Sequence, residues 1–155
     1  MRTAVIIPAR YASTRLPGKP LRMLGEVPLI IRVFNQVSQC SGVDCIAIAT
    51  DHPEIAEIGQ KYGATVIMTA PNHISGTDRV GEAALELEAD LIINVQGDEP
   101  FIAPQDIQKV IDSLKRSKAD IVTLRYPILS REELLDPNVV KVVSKNDGQA
   151  LYFSR

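Results

Sequence analysis

The chain opens on Thr3-Ala-Val-Ile-Ile-Pro-Ala-Arg-Tyr-Ala-Ser-Thr-Arg-Leu-Pro-Gly-Lys-Pro20, and its first part decides the fold class. Ala4 to Ile7 is wholly apolar, rich in β-branched residues and closed by Pro8, the pattern of a short strand buried on both faces. Asp44-Cys-Ile-Ala-Ile-Ala-Thr50 and Leu91-Ile-Ile-Asn-Val95 read the same way. Between and after these runs lie amphipathic stretches at 28–41, 53–62, 77–88 and 104–117. Three of them open with proline (Pro28, Pro53, Pro104), a residue suited to the first helical position. Strand alternating with helix predicts an α/β domain with a mainly parallel sheet. Further strands are expected at Thr65–Met68 and Ile121–Arg125. A hairpin is expected from Val139–Ser144 and Gln149–Phe153 around the turn Asn146-Asp147-Gly148. With no repeat, low-complexity tract or linker-like composition, one domain over residues 1–155 is the simplest division.

Of the 155 residues, 45% are hydrophobic and 23% charged, the balance of an ordered globular protein. A domain of this length removes roughly 70% of its unfolded surface from water and needs no disulfide staples. No apolar run approaches the ~20 residues of a membrane span, and no secretory leader precedes Pro8, so a cytoplasmic location with no membrane partner is expected. Cys40 and Cys45 are too few for a disulfide framework, and with His52 and His73 alone there is no zinc-type cluster. The formal net charge is −2, yet residues 1–32 hold six cations against Glu26, a local +5 that leaves −7 elsewhere. Nucleic-acid affinity needs many phosphates neutralised over an extended surface, so a globally acidic chain argues against that partner. A small phosphorylated ligand fits the local positive charge better.

In open sheets of this kind ligands sit beyond the carboxyl ends of the strands, which directs attention to the loops there. Pro8 to Pro20 carries two hydroxyls, a glycine and three cations: Arg10 can grip phosphate oxygens bidentately, Lys19 supplies a mobile charge, and Ser13 and Thr14 can donate. It matches neither the Walker loop, since Lys19 precedes a proline, nor the dinucleotide fingerprint. After the Leu91 strand comes Gln96-Gly97-Asp98-Glu99-Pro100. A carboxylate beside a glycine at a strand end suits Mg²⁺, which takes one or two carboxylates and completes its shell with water and phosphate; Asp98 is the one selected. The plainer alternative is a turn or helix cap. His73-Ile-Ser-Gly-Thr-Asp-Arg79 opens a helix, so Arg79 could clamp a ligand carboxylate there; equally, Ser75 or Thr77 could cap, with Asp78 or Glu82 in the first turn. His73 is open between general base and ordinary loop residue, and Asp51-His52 could border a base or ribose.

Taken together, Ile7-Pro-Ala-Arg-Tyr-Ala-Ser-Thr-Arg-Leu-Pro-Gly-Lys-Pro20, Ala49-Thr-Asp-His52, His73-x-Ser-Gly-Thr-Asp-Arg79, Asn94-Val-Gln-Gly-Asp-Glu-Pro100, Val140-Lys-Val-Val143 and Ala150-Leu-Tyr-Phe-Ser-Arg155 resemble the 3-deoxy-manno-octulosonate cytidylyltransferases, or CMP-Kdo synthetases. The resemblance runs in register from Val5 to Arg155. It implies a Rossmann-like nucleotide-diphospho-sugar transferase sheet with helices on both faces. The implied reaction is transfer of CMP from CTP to Kdo with release of pyrophosphate, on the way to lipopolysaccharide. It implies nucleotide contacts from Ala9, Arg10, Ser13 and Lys19, with Arg10, Lys19 and Asp98 catalytic and Asp98 the magnesium ligand. His73, Ser75, Arg79 and Gln96 fall on the sugar side. It also implies a longer protein: family members continue past the Tyr-Phe-Ser-Arg motif, and that part supplies a second metal carboxylate, sugar contacts and much of a homodimer interface. These residues are thus expected to be an N-terminal portion, with an exposed edge strand and apolar surface near Gln149–Phe153.

Two other functions compete. One is a cytidylyltransferase for another acidic sugar such as a sialic acid, which acceptor competition separates. The other is a CTP-binding module without activity, whose signature is nucleotide binding with no pyrophosphate release.

Overall fold

The computed structural model describes residues 1–12 and 16–155, and these divide into two compact units, 1–122 and 123–155, where the sequence suggested one domain. In chain order the first unit holds β1 (Thr3–Ala9), a 3₁₀ turn (Lys19–Leu21), β2 (Met23–Leu24), β3 (Val27–Pro28), α1 (Leu29–Val37), β4 (Cys45–Thr50), α2 (Pro53–Lys61), β5 (Thr65–Met68), α3 (Gly76–Ala84), β6 (Leu91–Asn94) and α4 (Pro104–Arg116). Four strands form one parallel sheet in the order β5-β4-β1-β6. The chain moves outward from β1 through β4 to β5, then returns to the other side of β1. The reversal falls between β1 and β6, where open α/β sheets bind their ligands.

Alternation along the strands divides the core. Val5, Ile7, Ile48, Ile93 and Val95 pack with Ile30, Ile31, Val33 and Val37 of α1, Ile55 of α2, and Ile107 and Ile111 of α4. Ile6 and Ala49 face the other way, against Val80 and Ala83 of α3. The sheet is thus covered on both faces, which is why its strands lack the polar alternation of a half-solvated sheet. Each buried Ile or Val side chain contributes about 1.5–3 kcal/mol of transfer free energy.

Pro8 does not end β1, as the sequence suggested, and the strand runs on to Ala9 paired with Thr50. The carbonyl of Ile6 accepts from the Val95 N–H on the β6 side, and Pro8, two residues on, faces the same side beyond the last β1–β6 pair, Ile6 with Asn94. The amide proton that proline lacks has no ladder partner to lose there. Helices α1 and α3 stop earlier than their amphipathic patterns. In both, the following amides bond three residues back, as Cys40 to Val37 and Leu87 to Ala84, tightening the exit into a 3₁₀ turn. The expected strand at Ile121–Arg125 is absent. No ladder partner flanks it among the described residues, and Ile121 is 86% exposed. Gly25, with φ 72, opens the two-residue β2–β3 turn that periodicity did not reveal.

The second unit contains α5 (Arg131–Leu135), capped by the Ser130 hydroxyl, and the hairpin β7 (Lys141–Ser144) with β8 (Ala150–Ser154). Its strands are antiparallel around the expected Asn146-Asp147-Gly148 turn, where Gly148 takes φ 92. No residue from 123 to 155 is buried, and Leu151, Tyr152 and Phe153 are all exposed, in line with the apolar surface anticipated there. Among the described residues no helix is long and apolar enough to cross a membrane.

Candidate functional site

The loops after β1 and β6 meet at the point of reversal. Gly18, with φ 66, donates its N–H to the Tyr11 carbonyl at 3.0 Å, closing the loop that follows β1. Lys19 then enters the 3₁₀ turn, and its Nζ lies 2.6 Å from Asp98 Oδ2. Both side chains are about half exposed, 42% and 51%, so the pair is open to a ligand. Arg10 is exposed just past β1 and Ala9 is buried at its last position. Ser13, expected to contact nucleotide, lies with Thr14 and Arg15 outside the described residues.

The β6 loop comes this close because residue 97 is glycine. A Cβ there would stand 2.7 Å from the Pro8 carbonyl oxygen, a backbone atom that cannot move aside. Gln96 donates Nε2 to Asn94 Oδ1 at 2.9 Å, and its Oε1 lies 3.5 Å from where a Cβ on Gly76 would be. Gln96 and the Ser75–Gly76 entry to α3 are therefore neighbours. Ser75 takes the capping alternative: its hydroxyl accepts from the Asp78 N–H and the Asp78 carboxylate accepts from the Ser75 N–H.

Arg79 differs from expectation. Its side chain is 3% exposed; Nη1 donates to Thr69 Oγ1 and Nη2 faces Asp51 Oδ1 at 3.6 Å. A guanidinium so enclosed ties the ends of β4 and β5 to α3 and does not project as a free clamp for a dissolved carboxylate. One turn along the same helix face, Glu82 accepts the Ala70 N–H at 3.2 and 3.0 Å and bonds His73 Nε2. The His73 bond, and then the Ala70 N–H, hold the Glu82 carboxyl below its ordinary range. His73 Nε2 is thus held by a carboxylate.

The sequence suggests for Glu82 only a place in the first helical turn, which it lies beyond, and marks no role for Thr69 or for the Tyr11 ring, which stacks on His52 with centroids 3.9 Å apart. Arg79 and Glu82 at i and i+3 carried the available signal, since both then point back at the residues leaving β5. Nothing in the sequence marks the stack.

As a magnesium site the arrangement offers Asp98, a solvent-open hard carboxylate, beside a cation; among the described residues no group of three or more metal-ligating side chains occurs. That donor set fits Mg²⁺ completed by phosphate oxygens and water.

A family model described as Cytidylyltransferase matches residues 4–155. Over its whole length the chain is 46% identical to a 3-deoxy-manno-octulosonate cytidylyltransferase of Haemophilus ducreyi, of which it covers 62%. It is 47% identical to the protein of that name from Thioalkalivibrio sulfidiphilus, covering 63%. The chain therefore spans somewhat under two thirds of the length of these curated relatives. Among solved structures, a CMP:2-keto-3-deoxy-manno-octonic acid synthetase complexed with CTP superposes with TM-score 0.91 at 39% identity, over 99% of this chain and 64% of that one.

Proposed function

From a chain that belongs to the cytidylyltransferase family, we propose a CMP-transferring site: CTP is the donor, Kdo the acceptor and pyrophosphate the leaving product, in the cytoplasmic supply of activated sugar for lipopolysaccharide. The observation that carries this reading is the Lys19–Asp98 pair, which brings a cation and a hard carboxylate together where a parallel sheet reverses its strand order. The choice of CTP and Kdo follows the names of the relatives, 46% and 47% identical along the entire chain.

In this reading the anomeric hydroxyl of Kdo attacks the α-phosphorus of CTP and gives its proton to solvent, a new P–O bond forms, and the bond from the α-phosphorus to the bridging oxygen breaks as pyrophosphate leaves. Arg10 and Lys19 bind the triphosphate and stabilise the charge that collects on pyrophosphate, as preorganised donors do. Asp98 would hold Mg²⁺, which when bound neutralises phosphate charge. Ala9 and Ser13 border the nucleotide, and His73, Ser75 and Gln96 border the acceptor. Arg79 acts from beneath, anchoring the segment that carries His73.

The test is pyrophosphate release with CTP, Mg²⁺ and Kdo, against omission of Kdo, replacement of Kdo by a sialic acid, and Asp98→Asn. Kdo-dependent release lost in the variant is the expected result. Release with the sialic acid instead would reassign the acceptor. CTP binding with no release would favour a nucleotide-binding module.

A further inference from the structure

We propose that Tyr11 is a positioning residue: its ring, held between His52 and Gly18, fixes the neck of the loop that delivers Lys19 to Asp98. The inference deepens the nucleotide reading and rests on it for its ligand.

Three observations converge on this side chain. Its ring lies against the His52 imidazole with centroids 3.9 Å apart and planes 14° from parallel, a stacked pair. Its carbonyl accepts the Gly18 N–H at 3.0 Å, so residues 11 and 18 are joined across the loop. The same ring covers Gly18: a Cβ there would fall 3.5–3.7 Å from ring atoms Cε2, Cζ and Oη. Main chain and side chain of one residue thus grip the far end of the loop together. The next residue is Lys19, with its amine on Asp98 at 2.6 Å.

The grip is anchored to the sheet through His52. Its N–H is held by Thr50 Oγ1 at 3.2 Å, its carbonyl receives the Ala56 N–H at 3.1 Å, and it caps α2. Its Nδ1 is buried with no hydrogen-bond partner among the described residues. The imidazole serves the stack through its face. A flat, stiff ring suits this place because two aromatic faces hold both separation and tilt, which an aliphatic side chain does not. Lys19 has a flexible four-carbon stem, so its placement depends on where the main chain starts.

The experiment has a ligand-free and a ligand-bound arm, read on the wild type, Tyr11→Phe, Tyr11→Leu and His52→Ala. In the free protein, hydrogen exchange at the Gly18 and Leu21 amides should quicken by about three- to tenfold in Tyr11→Leu and His52→Ala and stay unchanged in Tyr11→Phe, the range one aromatic pair supports. In the bound arm, CTP with Mg²⁺ should bind Tyr11→Leu more weakly by a similar factor. In a Lys19→Ala background the same substitution should have no further effect, because its influence passes through Lys19. Unchanged exchange in both Tyr11→Leu and His52→Ala overturns the proposal, as does an equal loss of CTP affinity with and without Lys19. If the wild type fails to bind CTP, the nucleotide reading fails, and the exchange arm still decides whether Tyr11 sets the loop.

Discussion

Lys19 Nζ and Asp98 Oδ2 lie 2.6 Å apart although 79 residues separate them in the chain, one in the loop after β1 and the other in the loop after β6. Both side chains are about half exposed. An exposed pair of this kind contributes about 0–1 kcal/mol to folding, because water solvates both charges well when they are apart. Its value is in placement, since it stations a cation and a carboxylate at one rim before any ligand arrives.

Lys19→Ala should therefore leave folding almost untouched and weaken nucleotide binding. A charge-assisted hydrogen bond to phosphate is worth about 1.5–3 kcal/mol, which corresponds to a loss of CTP affinity of about 10- to 150-fold. Titration calorimetry with CTP and Mg²⁺, beside a urea denaturation curve, reads both quantities. A large fall in stability with unchanged affinity would contradict the assignment.

Two glycines separate close approach from helix propensity. Gly97→Ala places a methyl 2.7 Å from the Pro8 carbonyl oxygen and forces β6 away from β1, at a cost of about 1–3 kcal/mol, and it displaces Asp98. Gly81, inside α3 with nothing within 4 Å of an added Cβ, should respond oppositely: Gly81→Ala stabilises by about 0.4–1 kcal/mol. Thermal unfolding of the two variants checks the opposed signs.

What the sequence reveals here follows from how local each determinant is. The buried strands and the four long helices were legible because their apolar spacing is a property of ten or so consecutive residues. The facing of the Pro8 loop and the Asp98 loop was legible from topology, since both leave the same edge of a parallel sheet. Arg79 was not, because its partners Asp51 and Thr69 are remote in sequence and each alone resembles an ordinary residue at a strand end. The Ile121–Arg125 run shows the converse error, since strand composition without a neighbouring ladder yields no strand.

Arg79→Met should be among the most damaging substitutions outside the apolar core. It leaves Asp51, whose side chain is 11% exposed, as a buried carboxylate without a counter-charge, and it strips Thr69 of its donor. Removing one partner of such a pair costs about 3–5 kcal/mol, a large part of the 5–15 kcal/mol that holds a typical domain. Arg79→Lys keeps the charge without the planar fork and should fall between the two. A urea midpoint for Arg79→Met within experimental scatter of wild type would show that the guanidinium does not tie α3 to the strand ends.

Glu82 supplies a pH signature. In the folded chain its carboxyl titrates below its ordinary value of 4.5, chiefly through the His73 bond and then the Ala70 N–H. The folded state therefore holds the carboxylate form more firmly than the unfolded chain does. Stability from this group is present in full above the ordinary value and is lost as the pH falls through the lowered one. Glu82→Gln removes the charge that produces the effect. The stability difference between wild type and Glu82→Gln should accordingly shrink as the pH falls below the ordinary value of 4.5 and acid protonates the wild-type carboxyl. A difference that grew on acidification would mean that Glu82 is better bound protonated, contrary to its acceptor role toward Ala70. Because Glu82 also holds His73, the same variant should lower acceptor affinity more than CTP affinity. The ratio of the two losses then reports whether the α3 entry belongs to the sugar side.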